Sequence, residues 1–440
     1  MAIPQRPRLR QLEVVPTGTE AEPRFELRDP EGFGDRAIVP YVGMITATLL
    51  DGRHTLAEIQ AALRKQLNAE VPLADIESFI GQLDEANLLA TERFERYRRE
   101  VIQKYATEPV RPATHAGGSY EEDADELRRQ LDDFFTREKG PGAIDWSRID
   151  QSTSTGGRRL VGILSPHIDP YRGGPALAWA YKQVAEQSDA DLFVIFGTAH
   201  APTADLFSLS RKDFDTPLGV VKTDRHFVDR VAEHLASSVA GRQLILFEDE
   251  WAHRGEHSIE FQAVFLQHIL GGRRPFRIVP VLVGSFEAFM ETGIEPDDAP
   301  ELQAFVAAIR AAADEYSGDG HSGNVCYISG ADLAHIGQHF GDDWLLDDKH
   351  LAEQSDSDRE LLEAACRCDS AGLFRHVALE HDRRRICGLS PTYLMLEAIH
   401  PAHGELLVYD QAVESDRTAC VSFAAAAFYG EYKTPGKPGR

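Results

Sequence analysis

The sequence predicts an α/β protein: a large domain whose central, mostly parallel or mixed sheet is flanked by helices, plus a small, mostly helical N-terminal domain. Three observations carry this expectation. The chain of 440 residues exceeds one ordinary core and suits two domains. After about residue 110, apolar runs of strand length alternate with longer helical stretches, the texture of a buried sheet with crossover helices. Before it, apolar residues recur at helical spacing.

In chain order, residues 1 to about 30 carry Pro and charge without periodicity and read as an arm with one or two short strands. A strand-like Ile38-Val39-Pro40-Tyr41 follows. Thr55-x-x-Glu58 is a capping-box pattern, after which Leu56, Ile59, Ala62, Leu63 and Leu67 keep helical spacing until Pro72. A second helix reads from Leu73 through Ile76, Phe79, Ile80 and Leu83 to Leu88, with Asn87 as terminator. Residues 93–104 form a charged helix. The pattern Leu50-Asp51-Gly52-x-x-Thr55-Leu56-x-Glu58-Ile59 resembles winged-helix-like or PqqD-type peptide-recognition domains; a helical packing appendage is the alternative. Pro109, Pro112 and the His115-Ala116-Gly117-Gly118 turn mark a boundary, giving domains at 1–110 and 111–440. Strands are expected at Leu160–Leu164, Leu192–Phe196, Ile278–Val283, Val325–Ile328, Leu406–Tyr409 and Ala419–Phe423, and an alanine run occupies 424–427.

Composition narrows the function. The formal charge is −25, of which −4 falls before residue 110 and −21 after it. So acidic a domain repels a phosphate backbone and an anionic bilayer, which argues against nucleic-acid and membrane partners. No apolar run approaches the ~20 residues of a spanning helix, and the start lacks the apolar stretch of a secretory signal. Five cysteines, an odd number at low density, suit a reducing cytoplasm and leave thiols free as ligands or nucleophiles.

Three strand-like runs end directly in ligand-type residues. Leu160–Leu164 delivers Ser165-Pro166-His167-Ile168-Asp169, Phe193–Phe196 delivers Gly197-Thr198-Ala199-His200, and Val325–Ile328 delivers Ser329-Gly330-Ala331-Asp332-Leu333-Ala334-His335. In an open α/β sheet the crevice lies beyond the carboxyl ends of the strands, so these loops are expected to meet. Asp332 and His335 are three apart, a spacing that fits one helical turn; the plainer reading has Asp332 capping the turn after its strand. Glu256 and His257 open an amphipathic helix facing the same crevice, where Glu256 can bind a metal, orient a histidine or cap the helix. Cys387 is the cysteine bracketed by loop residues, and Arg383-Arg384-Arg385 before it should favour thiolate. Cys326 and Cys420 lie in strand runs, and Cys366-Arg367-Cys368 reads as a packed helix face.

At these residues the chain closely resembles the Memo family, in its branch called AmmeMemoRadiSam system protein B. The resemblance runs from His115-Ala116-Gly117 to about Tyr429 and includes Pro166-His167, Gly197-x-x-His200, Glu256-His257-Ser258-Ile259-Glu260, Val279-Pro280-Val281-Leu282-Val283-Gly284, Ser329-x-x-Asp332-x-x-His335 and Ile386-Cys387-Gly388. It implies a fold similar to class III extradiol dioxygenases, in which two histidines and a glutamate hold a non-haem iron, with cysteine replacing the glutamate in Memo proteins. Carried over, the metal ligands fall on His167, His200 and Cys387, and the cleft-lining acid/base residues on His335, Asp332, His257 and Glu256. Two departures stand out. His200 is followed by Ala201 where relatives often have a second histidine, and Cys387-Gly388 by Leu389-Ser390-Pro391 where many have Arg-His-Pro.

Two imidazoles and a thiolate permit Fe(II), Cu(I) or Zn(II), and the resemblance puts iron first, with copper or zinc as alternatives. The implied function is an iron-dependent, dioxygenase-like oxidoreductase acting on a small-molecule or peptide substrate. The alternative is a non-catalytic metal- or peptide-binding adaptor, with AMMECR1-type and radical S-adenosylmethionine proteins as partners; zinc-dependent hydrolysis ranks last. Since the matched ligands all lie beyond the 109–118 boundary, limited proteolysis should cut near 105–115. The 111–440 fragment should then keep its metal; a folded fragment that has lost it would place the boundary elsewhere.

Overall fold

The computed structural model describes residues 3–19, 22–148, 158–236, 239, 241–318 and 325–431. The chain divides into two compact units, Met1–Glu108 and Pro109–Arg440.

In the first unit, strands β1 (Glu13–Pro16), β2 (Arg24–Arg28) and β3 (Ala37–Pro40) form an antiparallel sheet, so the expected arm supplies two of its three strands. The run at 38–41 splits between strand and helix. Pro40, which has no N–H to donate, ends β3 and caps the helix Tyr41–Thr48. The capping box forms as read. Thr55 Oγ1 accepts from the Glu58 N–H, and the Glu58 carboxylate accepts from the Thr55 N–H at 2.8 Å, starting the helix Leu56–Leu67. The next helix, Leu73–Glu85, stops before Leu88, and Asn87 takes a left-handed φ of 59° beyond its end. The charged helix spans Glu92–Thr107. Leu27, Val39, Ile59, Leu63, Ile76, Ile80 and Leu83 pack as the core between sheet and helices.

The second unit is built on a mixed eight-stranded sheet. Besides β4 (Val110–Arg111), which pairs in parallel with β8 (Asp213–Phe214), its strands are β5 (Arg158–Ser165), β6 (Leu192–Thr198), β7 (Phe207–Leu209), β9 (Arg277–Val283), β10 (Val325–Gly330), β11 (His335–Ile336), β12 (His403–Val413) and β13 (Cys420–Glu431). The order is β11-β13-β5-β10-β6-β9-β7, with β12 also paired to β13. The four central strands β5, β10, β6 and β9 are parallel, while β13 and β7 run antiparallel at the flanks. Every residue of β6 and β10 is buried, which is why these strands read as unbroken apolar runs. No helix among the described residues is long and apolar enough to cross a membrane.

The alanine run belongs to β13, whose strand continues well past residue 423. Ala424, Ala426 and Phe428 join the core on one face of the sheet, and Ala425, Ala427 and Tyr429 the core on the other. Alanine is a poor strand former, and here tertiary packing on both faces overrides that preference. Ala426 lies between Leu164 and Leu406 with no surface exposed. Ala426→Leu should therefore overpack the sheet and cost about 1–3 kcal/mol, read as a lower urea midpoint at unchanged slope.

Candidate metal centre

Register brings the site together. Ser165 lies beside Gly330, and Gly330 beside Gly197, so β5, β10 and β6 end in one row. The helix His257–Leu270 is seated on that row. A Cβ on Gly330 would meet the Ser258 carbonyl oxygen at 2.6 Å, and one on Gly197 would meet Ser258 Oγ at 2.5 Å. Glycine at both positions lets the helix start touch the strand ends. Ser258 Oγ donates to the Thr198 carbonyl at 2.9 Å and closes the joint.

The three loops and the helix start place His167, His200 and His257 in a near-equilateral triangle, with ring centroids 5.0, 5.2 and 4.8 Å apart. One nitrogen from each lies within 4.8 Å of the others, a grouping that could hold a metal ion. Each ring is set from behind. His167 Nδ1 lies 2.8 Å from the Gly330 carbonyl oxygen, an acceptor only, so Nδ1 carries a proton and Nε2 faces inward. His200 donates both its backbone N–H and Nδ1–H to the Glu256 carboxylate at 3.0 Å. Glu256 also accepts from the Ser258 N–H at 2.9 Å as N-cap of the helix, so capping and orienting are one job. The His167 ring is buried, while 40% of the His200 side chain faces the open crevice.

Cys387 Sγ sits 3.3 Å from His167 Nε2. Thr198 Oγ1 donates to the Cys387 carbonyl at 3.0 Å, tying that loop to the end of β6. Asp332 is buried, its carboxylate accepting from the His167 N–H at 2.9 Å and its carbonyl from the Gly388 N–H at 3.1 Å. It thus holds two loops of the site and does not cap its own turn.

The expected helical turn over 332–335 is not there. Leu333 donates its N–H to the Ser422 carbonyl, and His335 begins β11 opposite Val421. The spacing of three was misleading because β13 captures this backbone in a ladder. His335 Nδ1 lies 3.2 and 3.1 Å from the carbonyls of Leu333 and Arg385, which fixes a proton there.

Burial alone would push the Cys387 thiol up, but the neighbouring His167 and His335 rings pull it down to about 5. The predicted thiolate is thus favoured for a different reason than expected. Arg383, Arg384 and Arg385 spend their charge on Glu380, Asp358 and Asp342. Burial opposes the charged form of His167, yet Asp332 and Cys387 lift it to about 9. Burial also opposes the charged form of His200, and Glu256 raises it well above the ordinary histidine range. His257 goes the other way, held neutral by burial and by the neighbouring histidines against the pull of Glu256. Two imidazoles set from behind, a third imidazole and a low-lying thiol suit a late first-row metal ion, which would displace the protons that the site otherwise keeps. Cys326 and Cys420 are pushed up to about 12 by burial and Cys366 to about 11, so they remain thiols.

Sequence reasoning missed the support beneath the helix start. Arg111 is fully buried and pairs with Glu260. It also donates to the carbonyls of His253 and Glu256, each at 2.8 Å. Tyr120 and the His115 N–H donate to Glu260 as well. The one signal available was a carboxylate between Ile259 and Phe261 on an apolar helix.

Comparison with known proteins places this site in context. The Memo-like protein family matches residues 111–427. A MEMO1 family protein of Aquifex aeolicus is 26% identical over 427 residues, covering 96% of this chain and 100% of its own, a length that runs into the N-terminal unit. One from Methanopyrus kandleri is 28% identical over 319 residues, 71% of this chain and 96% of its own. One from Ignicoccus hospitalis is 35% identical over 176 residues, 40% of this chain and 56% of its own.

The buried corner under the site should respond to acid. His253 Nε2 donates to the Ser208 carbonyl at 3.1 Å, and Nδ1 has no hydrogen-bond partner among the described residues. Burial, helped by Arg111, lowers its pKa to about 4. The unfolded chain binds a proton at about 6.5, so the stability from neutral His253 is complete above that pH and is lost as pH falls to about 4. The loss should reach about 3 kcal/mol. Urea unfolding from pH 7 to 4 should show this excess acid sensitivity in the wild type and not in His253→Gln; parallel curves would refute it.

Proposed function

The chain belongs to the Memo-like family, and on that footing we propose that it is a metal-dependent oxidoreductase with dioxygenase-like chemistry, its metal held by His167, His200 and Cys387. The observation that carries this reading is the meeting of inward imidazole nitrogens with a low-pKa thiol at the carboxyl ends of parallel strands. The parallel centre of the sheet fits a relation to the class III extradiol dioxygenase fold. Iron bound there would supply one-electron chemistry with dioxygen; copper and zinc suit the same donors.

The chain's own residues then take distinct roles. Glu256 and Asp332 hold the His200 and His167 loops by hydrogen bonds. His335, its Nδ1 proton tied to two carbonyls, offers Nε2 to accept a proton from a hydroxylated substrate. His257, neutral and partly open to the crevice, is a spare nitrogen donor. The substrate is a small molecule or a peptide-linked aromatic, and AMMECR1-type and radical S-adenosylmethionine proteins are the proposed partners. The absence of disulfides among five free cysteines suits the cytoplasm. A second reading, a non-catalytic metal- or peptide-binding adaptor, draws support from the separate N-terminal unit.

Metal analysis of anaerobically purified protein, followed by oxygen uptake with a catechol panel, separates the two. Cys387→Ser should weaken metal binding more than about 100-fold at neutral pH, whereas Cys366→Ser and Cys368→Ser leave occupancy unchanged. His335→Gln should bind metal normally and lose turnover. Full occupancy in Cys387→Ser would remove the thiol from the ligand set. No oxygen uptake by iron-loaded protein would favour the adaptor.

A further inference from the structure

The loop that carries Cys387 adopts an unusual path. His381, Asp382 and Arg385 have φ of 53°, 46° and 55°, left-handed values that non-glycine residues hold only when their surroundings enforce them. Within the loop, Asp382 Oδ1 accepts from the Ile386 N–H at 2.8 Å. A further restraint comes from the segment after β10. Arg385 Nη2 lies 2.9 Å from Asp342 Oδ1, and Arg385 Nη1 donates to the His335 carbonyl at 3.1 Å. His335 returns two bonds, from its N–H to the Arg384 carbonyl at 2.7 Å and from Nδ1 to the Arg385 carbonyl. Asp342 Oδ2 is itself fixed by the Gly337 N–H at 2.7 Å. One carboxylate thus joins the strand that carries His335 to the loop that carries the thiol.

We propose that Asp342 is a positioning residue of the metal centre: through Arg385 it sets both the Cys387 loop and the His335 ring without touching Cys387 or that ring. This rests on the reading that Cys387 and His335 serve the site. Arg385 presents a planar fork to the carboxylate, so orientation as well as charge is transmitted. A residue whose role ended at its own turn would leave the loop around Cys387 unaffected.

The test is Asp342→Asn in the full chain, with Arg385→Lys as a second variant that keeps the charge and loses the fork. Two quantities are read: amide hydrogen exchange across 383–388 in metal-free protein, and affinity for Co(II), with Cys387→Ser as control. We expect exchange in this loop to quicken about tenfold, without change elsewhere in the unit, and Co(II) affinity to fall about tenfold. The intensity of the thiolate-to-cobalt band should fall with it. Wild-type exchange in the loop would overturn the proposal. So would faster exchange at unchanged affinity, where that affinity does respond to Cys387→Ser. If Co(II) binding ignores Cys387→Ser, the ligand reading has failed, and the exchange result alone decides the role of Asp342. Failure of both variants to fold would make Asp342 structural and the proposal wrong.

Discussion

The buried pair of Arg111 and Glu260 is the constraint on which the site depends. Two charges with no exposed side-chain surface are costly to desolvate and persist only when their hydrogen-bonding groups are met. Here the guanidinium is shared among Glu260, Thr114 and the carbonyls of Pro112, His253 and Glu256. The carboxylate is shared among Arg111, Tyr120, Thr114 and the His115 N–H. Those demands leave the corner between Ala252–Gly255 and the next helix little freedom. Glu256 and His257 follow directly from that corner.

Once the corner is set, Glu256 links folding to chemistry. Its carboxylate caps a helix and orients His200, so the helix cannot start elsewhere without releasing the ring. The helix in turn needs the bare backbone of Gly197 and Gly330 to reach the strand ends. Backbone geometry, rather than side-chain length, determines how close the three rings come.

Electrostatics then makes the cluster self-consistent. His167 is lifted by Asp332 and Cys387, while Cys387 is lowered by His167 and His335. Each group is charged because its neighbour is, which is the state that protons leave and a cation can take over. His253, a few residues from Glu256, stays neutral because its burial, helped by Arg111, outweighs the pull of Glu250 and Glu256.

The sequence by itself determined which strands end in ligand-type residues. Fully buried parallel strands must be apolar on both faces, so β5, β6, β9 and β10 are legible as runs, and the residues after them as loops. The capping box at Thr55 was legible too, because its partners are three residues apart. Other features were hidden for the opposite reason. Arg111 sits in a proline-flanked stretch with no periodicity, and its partner is 149 residues away. Asp332 and His335 showed a helical spacing that a strand from the far end of the chain overrode. Only the tertiary structure decided which ligands meet. The crossovers place β10 between β5 and β6, so His167 takes its orientation from Gly330, a carbonyl 163 residues distant, and no local pattern encodes that neighbour.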